Sequence, residues 1–168
     1  MRLFLFNIMA KRKQQIELKE TEYKAPAIEI TYKKSTIVDD VKVTTSKQVF
    51  EILRRQFNND TISVYEEMHV LYLNRANRII GTFYASKGGT VGTVVDVKLI
   101  LIVGLKCLAS SIILAHNHPS GALQPSISDH EVTKRLIKAA KYLDISILDH
   151  LIISPKEEYY SFADMGDI

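Results

Sequence analysis

The sequence offers almost no sulfur chemistry. Its single cysteine, Cys107, permits neither an internal disulfide nor a cysteine-based metal cluster. The chain therefore suits a reducing, cytoplasmic compartment. Cys107 lies in an apolar run and reads as a small buried hydrophobe. Long uninterrupted hydrophobic runs are also missing. The stretch from Val97 to Ala115 comes nearest to a membrane span, but Lys98, Lys106, Ser110 and Ser111 break it, and a lysine near mid-span is costly. No membrane span is expected. A secretory signal is not expected either: the apolar N-terminal run is short, and Lys11-Arg12-Lys13 follows it rather than precedes it. Met9, just ahead of that cluster, is a candidate natural start. Gly88, Gly89 and Gly92 have no Gly-Lys-Ser/Thr after them, which removes the phosphate-loop reading. Repeats and low-complexity tracts are absent, and strong charge is absent as well. A net charge of +3 over 168 residues permits contact with nucleic acid or an acidic partner without requiring it.

What is present describes a folded domain. Apolar residues make up 46% of the chain and charged residues 24%, enough to build a hydrophobic core. Residues 1–25 are polar and lysine-rich and read as a mobile arm, with one domain over 26–168. Ala27 to Tyr32 alternates as a half-buried strand. Thr45-Ser46 caps a helix running to about Phe57, with Val49, Ile52, Leu53 and Phe57 on its inner face. Met68 to Leu73 and Arg78 to Ser86 predict two strands joined by a turn at residues 74–77. Asp96 caps a helix to about Leu108, apolar nearly all round and so expected to be covered on most sides. Ser111 to Ala115 reads as a central strand buried on both faces. A helix from Ser128 to Leu143, with Val132, Leu136, Ala139 or Ala140 and Leu143 inward, a strand from Ile145 to Ile153 and an edge strand from Tyr159 to Phe162 complete a mixed α/β chain.

The segment that carries chemistry is His116-Asn-His118-Pro-Ser-Gly-Ala-Leu-Gln-Pro-Ser126-Ile-Ser-Asp129. Strand side chains alternate, so His116 and His118 project to one side and can share an ion. Asp129 falls in the first turn of the next helix, after a loop long enough to return its carboxylate to them. Two neutral nitrogens and one carboxylate leave a fourth position for water, the pattern of a catalytic zinc site. Tyr65-Glu66-Glu67-Met68 supplies two carboxylates where the chain enters the sheet, either of which can act as a base for water. Ser126 is placed to offer its hydroxyl to a substrate carbonyl.

These residues resemble the JAMM motif, His-x-His-Pro followed by six residues and then Ser-x-x-Asp, with no departure in spacing. Leu114-Ala-His-Asn-His-Pro-Ser-Gly121, Pro125-Ser126, Leu148-Asp-His150 and Tyr160-Ser-Phe162 are similar to the RadC branch of that family, over about residue 45 to the end. The resemblance implies a JAB/MPN (cytidine-deaminase-like) α+β fold with helices around a curved, mostly antiparallel sheet. It implies one zinc ion on His116, His118 and Asp129, a supporting serine at Ser126, and an upstream catalytic glutamate. The family spacing, eight residues before the strand-ending Asn74, selects Glu66, with Glu67 as its rival. It further implies a metallopeptidase or isopeptidase-like activity on a peptide or protein substrate. RadC proteins have long been labelled DNA-repair proteins and many lie in mobile elements, which keeps a nucleic-acid role or a metal-stabilised scaffold as alternatives. The helix-hairpin-helix region usual ahead of this domain is not recognisable here, since the segment before residue 40 is too short and polar.

The remaining features have plainer readings. His69, His130 and His150 are expected to be satisfied core or surface residues, with His150 able to support the site from behind. Lys134, Lys138 and Lys141 read as the solvated face of an amphipathic helix rather than a phosphate stripe. Asn117 and Ser120 are read as loop residues at the rim.

Overall fold

The computed structural model describes residues 41–88 and 95–168. The N-terminal arm, the Ala27–Tyr32 strand and the connection through Gly89 and Gly92 lie outside the described residues. Thr45 opens helix α1 (Ser46–Arg54) by accepting the Gln48 N–H on its side chain. The expected helix is longer, but after Arg54 the Gln56 and Phe57 N–H groups bond only three residues back, and the chain tightens into turns. Phe57 is nevertheless buried, as the periodicity requires.

Strands β1 (Glu67–Leu73) and β2 (Ile79–Lys87) form an antiparallel hairpin. The Asn74 carboxamide accepts the Ala76 and Arg78 N–H groups, and Asn77 takes a left-handed φ of 57°, a conformation asparagine tolerates well. Asp96 caps helix α2 (Val97–Lys106) through the Leu99 N–H. Strand β3 (Ser111–Asn117) follows, buried at every position. Helix α3 (Ile127–Lys141) carries the chain to β4 (Ser146–Ile153), which pairs with β3 in parallel. A short β5 (Tyr159–Ser161) runs into helix α4 (Phe162–Met165). The sheet order is β2-β1-β3-β4-β5, antiparallel at every junction except β3–β4. The expected mixed, mostly antiparallel α/β fold is the one found.

Strand alternation divides the apolar residues between two cores. Leu71, Leu73, Ile113, Ala115, Leu151 and Ile153 face α1, where Val49 and Leu53 meet them. Met68, Val70, Tyr72, Ile112 and Leu114 face the other way, against Ile100 and Leu101 of α2 and Leu136 and Ala140 of α3. Even-numbered side chains of β1 and β3 thus point toward α2 and α3. That row leads to His116.

Two expectations need correction. Helix α3 starts at Ile127, with Ser126 rather than Ser128 as its cap, and its buried positions are Asp129, Thr133, Leu136 and Ala140. Val132 is only half-buried and Leu143 is exposed, because a carboxylate and a hydroxyl must face inward to meet the histidines. Helix α2, expected to be covered on most sides, buries only Ile100, Leu101 and Gly104. Leu99, Ile102 and Leu105 are exposed, since a single sheet face covers one side of a helix. No helix among the described residues is long and apolar enough to cross a membrane.

These two sides of α2 give a direct comparison. Ile100→Ala should lower unfolding free energy by about 2–5 kcal/mol through a lost buried side chain and the cavity left behind. Ile102→Ala, at 49% exposure, should change it by about 0.5 kcal/mol or less. Urea titrations of the two variants would reverse this reading if their costs were equal.

Candidate metal centre

The site lies where β3 ends. His116 is the next-to-last residue of the strand and fully buried. His118 lies just beyond, yet its N–H still donates to the Ile153 carbonyl at 3.0 Å, so the backbone stays extended and both imidazoles emerge on one side. The chain then turns at once. The Gly121 N–H donates to the His118 carbonyl, and Gly121 adopts a φ of +79°, a left-handed conformation that favours glycine. This turn brings the Ala122 carbonyl within 2.7 Å of His118 Nδ1. A carbonyl only accepts, so the His118 proton sits on Nδ1 in that bond and Nε2 points into the site.

Asp129 comes from the first turn of α3. Ser126 and Asp129 form a capping box: the Asp129 N–H donates to Ser126 Oγ at 3.2 Å, and Asp129 Oδ2 accepts the Ser126 N–H and hydroxyl at 2.7 Å each. With Oδ2 held, Oδ1 turns toward His116. His116 Nε2 lies 3.2 Å from Oδ1, His118 Nε2 lies 3.5 Å from Oδ2, and the two Nε2 atoms are 3.0 Å apart. Among the described residues these three side chains form the cluster able to hold a metal. A tetrahedral ion with ligands at about 2.0–2.1 Å separates its donors by roughly 3.3 Å, so both the donor set and its spacing fit zinc.

The electrostatics reflect the convergence. Burial alone would raise the Asp129 carboxyl, but its contacts with His116 and His118 and the hydrogen bonds from Ser126 outweigh it and hold the group well below the usual carboxylate range. His118 is raised, chiefly by its hydrogen bond to Asp129 and against opposing burial, with a further contribution from the Glu66 charge.

Strand alternation separates the two glutamates. Glu67 is buried on the α1 side, where Tyr84 Oη donates to it at 3.4 Å, Lys87 Nζ lies at 3.5 Å and His69 Nε2 at 4.0 Å. Glu66 is half-buried and close enough to His118 to act on its charge. Lys134, Lys138 and Lys141 are all exposed on α3. His69 is a core residue packed edge-on against Phe57 and Tyr84.

Three site residues escaped the sequence reading or were left open by it. Asn117, expected at the rim, is instead fully buried in β3. Its Oδ1 accepts the Glu67 N–H at 2.7 Å, and its Nδ2 donates to the Ile62 and Tyr65 carbonyls at 2.7 and 2.8 Å. It thus ties the Glu66 segment to the strand that bears the histidines. The signal was alternation itself, which sends residue 117 to the opposite face from 116 and 118. His150 is fully buried behind His116, its Nε2 2.8 Å from His116 Nδ1, and burial sets its imidazole well below its ordinary value. Thr133, one helical turn after Asp129, contacts His150 Nδ1 at 2.6 Å.

Fold and site together define a three-layer α/β domain with a two-histidine, one-aspartate cluster at the end of its central strand. A family model described as a RadC-like JAB domain matches residues 43–167, and the chain belongs to that family. It is 46% identical over 125 residues to a UPF0758 protein of Flavobacterium johnsoniae, covering 74% of this chain and 53% of the relative. A UPF0758 protein of Porphyromonas gingivalis is 50% identical over 101 residues, with 60% and 44% covered. One from Symbiobacterium thermophilum is 34% identical over 126 residues, with 75% and 52% covered. The chain thus spans about half the length of these curated relatives.

Two outcomes follow for zinc. Elemental mass spectrometry should find about one zinc per chain in the wild type and almost none in Asp129→Ala, which loses one ligand of three. A ligating imidazole must be neutral, so zinc competes with the proton that Asp129 favours on His118. Apparent affinity should therefore weaken as pH falls through that raised value. Calorimetry in buffers of different ionisation enthalpy reads the released proton, and a binding heat independent of buffer would refute the assignment.

Proposed function

We propose that the chain is a zinc-dependent hydrolase of the metallopeptidase or isopeptidase kind, cleaving an amide in a peptide or protein. The observation that carries this reading is the convergence of His116 Nε2, His118 Nε2 and Asp129 at tetrahedral spacing with the Glu66 charge beside them. His116, His118 and Asp129 would hold the ion, leaving a position that the protein does not fill. When bound, zinc supplies Lewis acidity and makes water nucleophilic near neutral pH.

The remaining work falls to side chains of this chain. Glu66 is the general base: it takes a proton from the attacking water and returns it to the departing amine nitrogen. Its segment is held by the Asn117 carboxamide, so the carboxylate starts from a fixed position rather than a mobile loop. Ser126 serves the oxyanion by turning its hydroxyl from Asp129 Oδ2 toward the substrate carbonyl. Its position at a helix N-terminus, where N–H dipoles converge, favours the developing negative charge. An extended substrate can lie along β2 beyond the Lys42–Arg78 bridge, where it is an edge strand among the described residues, with main-chain hydrogen bonds holding it and side-chain pockets selecting it. The lone free cysteine accords with work in the reducing cytoplasm.

The two glutamates provide the test. With a panel of peptide and isopeptide substrates, Glu66→Gln should lower kcat by about 10²–10⁴-fold while zinc content stays at the wild-type level. Glu67→Gln should affect stability more than turnover, since Glu67 pairs with Tyr84 and Lys87 on the opposite face. The general-base assignment fails if Glu67→Gln abolishes hydrolysis and Glu66→Gln does not.

A further inference from the structure

Behind the metal-facing side of the cluster, a chain of hydrogen bonds joins one ligand to another. It begins at the Asp129 backbone carbonyl, 2.6 Å from Thr133 Oγ1. Thr133 Oγ1 lies 2.6 Å from His150 Nδ1, and His150 Nε2 lies 2.8 Å from His116 Nδ1. Thr133, His150 and His116 are all buried, and the His150 ring is stacked on Phe162 at 4.8 Å.

Counting protons gives the chain a direction. A carbonyl oxygen has only lone pairs, so the single Thr133 proton must go to the Asp129 carbonyl. Reversing that bond would leave two oxygens 2.6 Å apart with no proton between them. Thr133 Oγ1 must then accept from His150 Nδ1–H. Fully buried, with its two ring nitrogens against Thr133 and His116 rather than a carboxylate, the His150 imidazole is neutral and carries that one proton, so its Nε2 is an acceptor. His116 must fill it by donating from Nδ1. We propose that Thr133 and His150 are positioning residues that keep a proton on His116 Nδ1, so that Nε2, the nitrogen facing Asp129 and His118, is the one available to ligate an ion.

This inference rests on the metal-site reading for its purpose but not for its proton count. Metal-ligating histidines depend on such partners for tautomer and orientation, and their loss commonly costs about 10–100-fold in metal affinity. Thr133 is the informative position. Removing its hydroxyl frees His150 to carry its proton on Nε2, which would force His116 into the opposite tautomer and place a proton where the ion binds.

The test combines long-range ¹H–¹⁵N NMR of the zinc-free 168-residue chain with zinc affinity by chelator competition at one fixed pH. The expected result is a wild-type His116 protonated on Nδ1. Thr133→Val should give a mixed or Nε2-protonated His116 and about 10–100-fold weaker zinc binding, while Thr133→Ser should keep both wild-type properties. A wild-type His116 protonated on Nε2 overturns the inference without any variant. Retention of the wild-type tautomer and affinity by Thr133→Val overturns it as well. A wild type with the Nδ1–H tautomer that binds no zinc supports the proton assignment and instead defeats the metal reading.

Discussion

The burial of a polar strand end is the constraint on which the rest of the site depends. β3 runs through the middle of the sheet with β1 and β4 on either side, and His116 and Asn117 at its end have no exposed surface. Water cannot satisfy them, and an unpaired buried polar group costs about 1–3 kcal/mol. Each has therefore recruited protein partners from distant segments. Asn117 takes three backbone groups from residues 62–67, and His116 takes His150 on one nitrogen and the cluster on the other. Satisfying the strand end and assembling the site are one event.

Alternation along the strand gives the two partners of this arrangement opposite tasks. Residues 116 and 118 turn toward α3 and make the cluster, whereas 117, between them, turns toward the segment that carries Glu66. The carboxylate and the histidines are thereby referred to the same three residues of backbone. Helix α3 completes the geometry from the other side, because its capping box holds Asp129 Oδ2 and leaves Oδ1 for His116. The loop between β3 and α3 is kept short by the turn at Gly121, which also supplies the carbonyl that orients His118. Helix start, turn and strand end are each ordinary local structures. Their coincidence within fourteen residues, from His116 to Asp129, is what makes a metal-type site.

Much of this was legible in the chain. The His-x-His spacing with a Ser-x-x-Asp cap identified the cluster residues, and the periodicities gave the five strands of the described sheet and their apolar rows. Element ends were less legible: α1 closes earlier than its apolar pattern continues, and α3 begins one residue sooner, because capping hydrogen bonds decide an end and periodicity does not. The all-round apolar pattern of α2 also misled, since composition says how apolar a helix is without saying how many surfaces are available to cover it.

What the sequence by itself determined is whatever depends on near neighbours. Alternation places His116 beside His118, and a helical first turn places Asp129 beside Ser126. What only the tertiary structure decided depends on register between segments far apart. It set Glu67 against Lys87 and His150 against His116 across 34 residues, and drew Asn117 over to the Tyr65 carbonyl across 52. The physical reason is that backbone periodicity is written residue by residue. The partner of a buried polar group is chosen only when the sheet closes and water is excluded.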